Sequence, residues 1–546
     1  MSSNLLHSTL RHISAWATEN ATWTGRLNDT SITLHSTHPL SEIAGLTLKL
    51  GGHASIAMNT PKTDMTLHIG RCACCFDLRI SENRVWCRFQ ACGQHMLDAE
   101  HIDTLLTRVL PNTKNQSNVH RLILLKIKDT FSFKKLPSHI QHVELFSCST
   151  EPTLSIPSHI SILNIVHAQN LIAIEGLDSN RQLSKLSITW CKRLTTISNI
   201  ASNILQSIRI HWCQRLQHIP PIHQPTLKVL DIQACQSLKK LPPVHLCTHL
   251  EEIRFCWFSQ DITLPSLADC QKLRFLILRS MSAMTELPDV STERLELLDV
   301  AESTALQKIT GMGRRLRILI ADGCDKLETV DVTNSSNLQR LSLARVSELK
   351  EIYGLVENHS LQHLQISEAP TLSHLDGLET NFELRTLTLV NCAELTHLPN
   401  WRRLIQMTEL TIYGCRTLST LPKWHLPSLE VLKIGGCDAI QQMVPFSQFP
   451  NLQTLKWTSF KGLENTADIS DLIHLRELRI TGHPSLRTIE GFDSMQELET
   501  VDLSRCSKLI SIDGLENSVR LRHIQLQGCR SLRRLTSRDG PDVRLH

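Results

Sequence analysis

Leu227-Lys-Val-Leu230-Asp-Ile232-Gln-Ala-Cys235-Gln-Ser-Leu238-Lys-Lys-Leu241-Pro242 is a stretch that cannot shield its own apolar residues from water. Leu230 and Ile232 flank Asp231, so an extended backbone puts the two apolar side chains on one face and the carboxylate on the other. Leu227, Cys235, Leu238 and Leu241 then fall where the chain turns and comes back. One such coil holds too few apolar groups to enclose a core, and the leucines are covered only if coils stack on one another.

The same register begins again near Leu122, Ile140 and Ile160, and then every 21 to 23 residues from Leu183 to Leu521, nineteen starts in all. A self-similar period of that length marks a repeat architecture with one supersecondary unit per repeat. Stacked strands pair in parallel along one side, giving a curved solenoid with a concave sheet. The returning side closes in two ways. Some coils end in Leu/Ile-Pro, as at Ile219-Pro220 and Leu421-Pro422; others end in Ile/Leu-x-Gly, as at Leu375-Asp-Gly377 and Ile512-Asp-Gly514. Proline presets φ and glycine admits φ > 0, so both turn tightly without a long helix, and the convex side is expected to be extended or 3-10. Two insertions, between Cys148 and Pro157 and between Phe258 and Pro265, are expected to be local bulges.

The consensus L-x-x-L-x-L-x-x-C-x-x-L-x-x-L-P is cleanest in residues 205–220, 227–242, 384–399 and 407–422. It resembles the leucine-rich-repeat superfamily, in particular the cysteine-bearing repeats of plant intracellular immune receptors. It is also similar to the leucine-rich-repeat effectors that bacteria deliver into host cells. The resemblance spans about three quarters of the chain and implies a strand-rich solenoid of the α/β superhelix class, built to bind another protein. The G-x-x-x-x-G-K-[ST] loop of a nucleotide switch is absent.

The ninth position of the unit is cysteine in ten coils, from Cys148 to Cys529. A small side chain there is expected to turn inward and hydrogen-bond unpaired backbone. Parallel Cβ vectors on stacked coils suit disulfide geometry poorly, which favours thiols and a reducing compartment, the cytoplasm or the cytosol of a host cell. No Sec signal and no apolar run long enough to span a membrane is visible. Net charge is +4, with 57 lysines and arginines against 53 acids. That balance demands no nucleic-acid partner. No cofactor is expected, and the chain is expected to be a monomer.

Residues 1–117 lack the repeat. Alternation over 31–35, 43–50, 65–69, 75–80 and 84–89, with helical patterns over 5–18 and 96–110, predicts a small α+β domain, followed by the solenoid over 118–536 and a short tail over 537–546. Cys72, Cys74, Cys75, Cys87 and Cys92 form the one candidate zinc cluster, but the spacing lacks a C-x-x-C pair, so ordinary buried thiols are the simpler reading.

Side chains facing out of the strands lie at the third, fifth, seventh and eighth positions. These place Trp190, Trp212 and Trp257 at the eighth position, His211 at the seventh, and Arg209 and Arg254 at the fifth, with Tyr413 in a second patch beside glycines 414, 435 and 436. Exposed tryptophan and arginine dominate protein interfaces, because they bury large area at low entropic cost. The bland alternative is that the tryptophans fold over the strand edge onto leucines. No metalloprotease, nucleophile-elbow or kinase motif is present, and the 27 histidines are scattered. The expected function is therefore a non-enzymatic protein-binding scaffold. The competing expectation is a solenoid that targets an enzymatic or ubiquitin-ligase-recruiting activity carried by residues 1–117.

Overall fold

The computed structural model describes most of residues 140–535, together with the strands between positions 22 and 125 and a few residues near them. The chain forms two compact units, Met1–Lys272 and Leu273–His546.

In the first unit seven strands pair in parallel, in sequence order, from Val119–Leu125 through His142–Phe146, Ile162–Val166, Lys185–Thr189, Ser207–His211 and Val229–Gln233 to Glu252–Cys256. Every rung aligns like positions of neighbouring coils. Ile188, Ile210 and Ile232 face one another across the ladder and are fully buried, while Ser187, Arg209 and Asp231 form the row between them. The register corrects one reading: Leu122 lies opposite Val143, at the fourth position, so the first coil starts three residues earlier than its leucine suggests.

The first strand of the ladder is not a bare edge. Arg84–Ala91 pairs in parallel with Val119–Leu125 and antiparallel with Cys74–Ser81, which pairs in turn with Thr63–Ile69. An antiparallel sheet thus supplies partners to backbone groups that would otherwise template aggregation. These strands coincide closely with the alternating runs of the sequence. The expected helices over 5–18 and 96–110 lie outside the described residues, as do the side chains of the candidate zinc cluster.

The second unit carries twelve parallel strands, from Phe275–Ile277 to His523–Gln525. Val543–Arg544 adds a further parallel pairing to the last of them. The seven and twelve strands match the nineteen repeats.

No α-helix occurs among the described residues. The returning sides carry short parallel ladders, such as Thr153–Ser155 with Ala173–Glu175 and Thr196–Ile197, and single 3-10 turns such as Leu378–Thr380. The insertion after Cys148 was expected to bulge; its Thr153–Ser155 is instead the first rung of such a ladder. Gly377 opens its 3-10 turn at φ 86°, and a Cβ there would lie 2.5 Å from the backbone nitrogen of Val356. Only glycine accommodates both the torsion and the approach.

The core is the stack of first, fourth, sixth and twelfth positions, leucine and isoleucine almost throughout. Thiols complete it. Cys148, Cys324, Cys506 and Cys529 donate to carbonyls of the preceding coil at 3.0–3.3 Å, and Cys213 and Cys235 reach the equivalent oxygens at longer range. In two of the coils from Ile140 onward whose ninth residue is not cysteine, another polar side chain takes the same role, while the six others place an apolar residue there, such as Val346 or Phe460. Ser303 Oγ donates to Leu278 O at 2.9 Å, and His483 Nε2 lies 2.7 Å from Trp457 O. The thirteen cysteines of the described residues are free.

Candidate functional site

The backbone at the eighth position decides what the strand face presents. In all eighteen coils from Ile140 onward this residue has φ between 50° and 83°, the left-handed region. The turn sends the ninth side chain inward, and the eighth N–H still reaches the next coil, as in Trp190 N to His211 O and Trp212 N to Gln233 O, both 2.9 Å. Five coils use glycine here, at 323, 414, 436, 482 and 528. Thirteen use residues that pay a steric cost for φ > 0, and these thirteen are the non-glycine residues with positive φ among those described.

Three of the thirteen are tryptophans. Trp190, Trp212 and Trp257 have φ of 60°, 57° and 60°. Trp190 and Trp212 stack with ring centroids 4.7 Å apart and planes within 3°; Trp212 and Trp257 meet at 6.2 Å and 31°. Ala234 occupies the eighth position between Trp212 and Trp257 and is buried. Trp190 and Trp257 remain 41% and 46% exposed, and Trp212, covered on both faces, is half-buried. The indoles therefore pack chiefly on each other, forming a ledge along the border of the ladder.

On the strand face below the ledge, Arg209, Asp231 and Arg254 are lateral neighbours in one row. Asp231 accepts from Gln233 Nε2 at 2.6 Å, and His211 Nε2 lies 3.0 Å from Asp231 Oδ1 but out of line for a hydrogen bond. Arg254 turns to Glu252 on its own strand. Arg209 is exposed. Six of the seven residues singled out in the sequence thus share one surface of the first unit.

Tyr413 belongs to the second unit and is 48% exposed. Two of the three glycines beside it, Gly414 and Gly435, are closely covered by neighbouring side chains. A Cβ on Gly435 would meet Tyr413 Cε2 at 2.7 Å and Thr458 Oγ1 at 2.2 Å, and one on Gly414 would meet Asn391 Oδ1 at 2.2 Å. The ring and the amide lie across the glycines and fill the space. Trp401, Trp424 and Trp457 are core, the first two stacked at 5.7 Å.

One feature of the strand face was missed. Phe275, Ile277, Leu297, Ile318 and Ile320 are outward third- and fifth-position residues on three adjacent strands, and all are half-buried. The signal was present: Phe-Leu-Ile-Leu over 275–278 and Ile-Leu-Ile-Ala over 318–321 are unbroken apolar runs, the pattern of strands covered on both faces. Among the described residues no cluster of three or more histidine, cysteine or acidic side chains is placed to hold a metal. No described helix is long and apolar enough to cross a membrane.

No family model and no curated protein matches the chain. Several solved structures are similar to it. The functional domain of InlJ from Listeria monocytogenes, which includes a cysteine ladder, is 17% identical over 60% of this chain and 71% of its own, with a TM-score of 0.31. TLR13 in its complex with ssRNA13 is 14% identical over 82% and 92%, with a TM-score of 0.34. The internalin InlF, also from Listeria monocytogenes, is 13% identical over 52% and 82%, with a TM-score of 0.29. The protein is a leucine-rich-repeat solenoid. That assignment of the fold stands on its own register of nineteen repeats and on the parallel rungs that align them.

Proposed function

We propose that this protein is a non-catalytic scaffold that binds a partner protein on the strand face of its first unit, with Trp190, Trp212 and Trp257 as the anchor and Arg209, His211 and Arg254 beside them. One observation carries the reading. Three tryptophans occupy a left-handed backbone position at which five other coils use glycine, and they stay largely outside the core. A left-handed torsion costs an ordinary residue about 1–2 kcal/mol, and costs of this kind persist where a side chain is needed for something other than folding. Large exposed aromatic clusters on soluble proteins mark interaction surfaces. Tyr413 is proposed as a separate, smaller contact in the second unit. The free thiols favour a reducing compartment, the cytosol of the producing cell or of a host cell into which the protein is delivered.

The test exploits the torsion. Trp212→Gly gives up stacking worth about 0.5–1.5 kcal/mol but relieves strain of similar size, so unfolding should shift little. Affinity capture with the wild-type chain and with Trp212→Gly, followed by identification of bound proteins, should yield a partner held by the first and lost by the second. A partner held equally by both removes the ledge from the interface.

A further inference from the structure

We infer that the partner segment received by the tryptophan ledge is acidic: a stretch of protein rich in aspartate and glutamate. This rests on the ledge being the binding site and adds the chemistry of what it binds.

The charge of the chain is not evenly spread. From Leu183 to Lys240 there are eight lysines and arginines and a single carboxylate, Asp231, whereas the whole chain sets 57 cations against 53 acids. The block coincides with the coils that carry Trp190 and Trp212. Asp231, which accepts from Gln233 at 2.6 Å, is one negative charge against eight positive ones and does not neutralise the block. Lys192 and Arg193 follow Trp190 by two and three residues, and Arg215 follows Trp212 by three. All three are exposed, and none has an acidic partner among the described residues. Arg193 and Arg215 hold the same turn position on adjacent coils, where like charges repel. Lys185 and the exposed Arg209 extend the cationic surface onto the strand face. Of the block's eight cations only Lys228 has an acidic partner among the described residues, Glu251 at 3.2 Å, whereas in the second unit Lys433, Lys456 and Arg479 are each paired with Glu409 or Glu477.

The aromatic geometry favours carboxylates over bases. A platform for nucleobases needs free ring faces, but Trp190 and Trp212 cover each other at 4.7 Å, and Trp257 closes on the far side of Trp212. What Trp212 can offer a partner is its edge, the positive part of an aromatic quadrupole. Ring edges, guanidinium groups and ammonium groups side by side complement an anionic peptide, and desolvated charge pairs at the rim of an aromatic anchor raise association rate and selectivity.

The experiment uses the full chain and three fluorescein-labelled probes: a glutamate-rich peptide of roughly ten residues, the same peptide with glutamine for glutamate, and an oligothymidine of matched charge, each titrated between about 50 and 300 mM salt, a range over which screening of exposed charges changes strongly. The acidic peptide is expected to bind best, to lose at least tenfold in affinity across that range, and to lose at least tenfold in the Arg193→Glu/Arg215→Glu variant. Lys433→Glu/Lys456→Glu should bind like the wild type, and circular dichroism should show both variants folded. Equal binding of the glutamine peptide, tighter binding of the oligothymidine, failure of the acidic peptide to bind at low salt, or indifference to charge reversal at 193 and 215 each overturns the inference. Capture of a partner that depends on Trp212 but not on Arg193 and Arg215 would leave the ledge as the binding site and reject its acidic ligand.

Discussion

Trp212 and Trp257 are 45 positions apart in sequence and on coils that are not adjacent, yet their rings meet at 6.2 Å because the eighth residue of the coil between them is Ala234. Glu302 and Arg345 form an ion pair over Gly323 in the same way. A small residue at an intervening eighth position is what lets its neighbours touch. Replacing Ala234 by leucine should drive a larger side chain into a space already closed by two indoles, at a cost of about 1–3 kcal/mol. Urea unfolding measures the loss, and near-ultraviolet circular dichroism should report the changed indole packing. Unaltered stability and spectrum would mean that the two tryptophans do not depend on the gap.

The thiol ladder should tolerate hydroxyls better than hydrocarbons. Cys506 donates to Ile480 O at 3.2 Å, and Ser303 makes the same bond in its own coil. Cys506→Ser is expected to cost less than Cys506→Val, which strands a buried carbonyl at about 1–3 kcal/mol. Burial pushes the thiols of Cys270, Cys324 and Cys506 up to about 12 and that of Cys247 to about 11. The folded chain then keeps protons that the unfolded chain releases near pH 9, so stability should be level below that pH and fall as pH rises from 9 toward 12. Iodoacetamide labelling at pH 8 should spare these four thiols until the protein unfolds.

His483 should make the second unit acid-sensitive. Its side chain is fully buried, stacked on Phe460 and bonded to Trp457 O, and burial lowers its pKa from 6.5. Below pH 6.5 the unfolded chain gains a proton that the folded chain refuses, so stability falls as pH drops. In His483→Cys, which installs the ladder residue used by ten other coils, the urea midpoint should change less between pH 7 and pH 5 than in the wild type. An identical change in both would exclude His483 as the source.

Gly377→Ala should be among the costlier single-methyl changes in the chain. It combines φ of 86° with a Cβ 2.5 Å from the Val356 nitrogen, so strain and backbone clash add to about 2 kcal/mol or more. Thermal unfolding of Gly377→Ala beside Gly311→Ala gives the comparison. Gly311 has φ 73° but open space around it, and its loss should be the torsional part alone.

Stacking, the parallel ladder, the inward thiols and the helix-free returning side were legible because a repeat displays the same constraint nineteen times. Leucines at the first, fourth and sixth positions have no other route out of water, so periodicity alone specifies the fold. The aromatic residues of the ledge were also visible at their eighth positions. Their backbone was hinted at only by the recurring glycines there, since three tryptophans at φ near 60° contradict local preference and are imposed by the hydrogen bond to the next coil.

Which side chains meet across coils was decided by tertiary structure, because contact there depends on the size of a residue some twenty positions away. Ala234 joins two tryptophans, Tyr413 and Asn391 lie over Gly435 and Gly414, and Asp231 is engaged by Gln233 and approached by His211 beside Arg209, which has no ion pair among the described residues. Sequence periodicity determines where each side chain leaves the backbone. Only the stacked coils determine what stands next to it, and binding chemistry is a property of those neighbours.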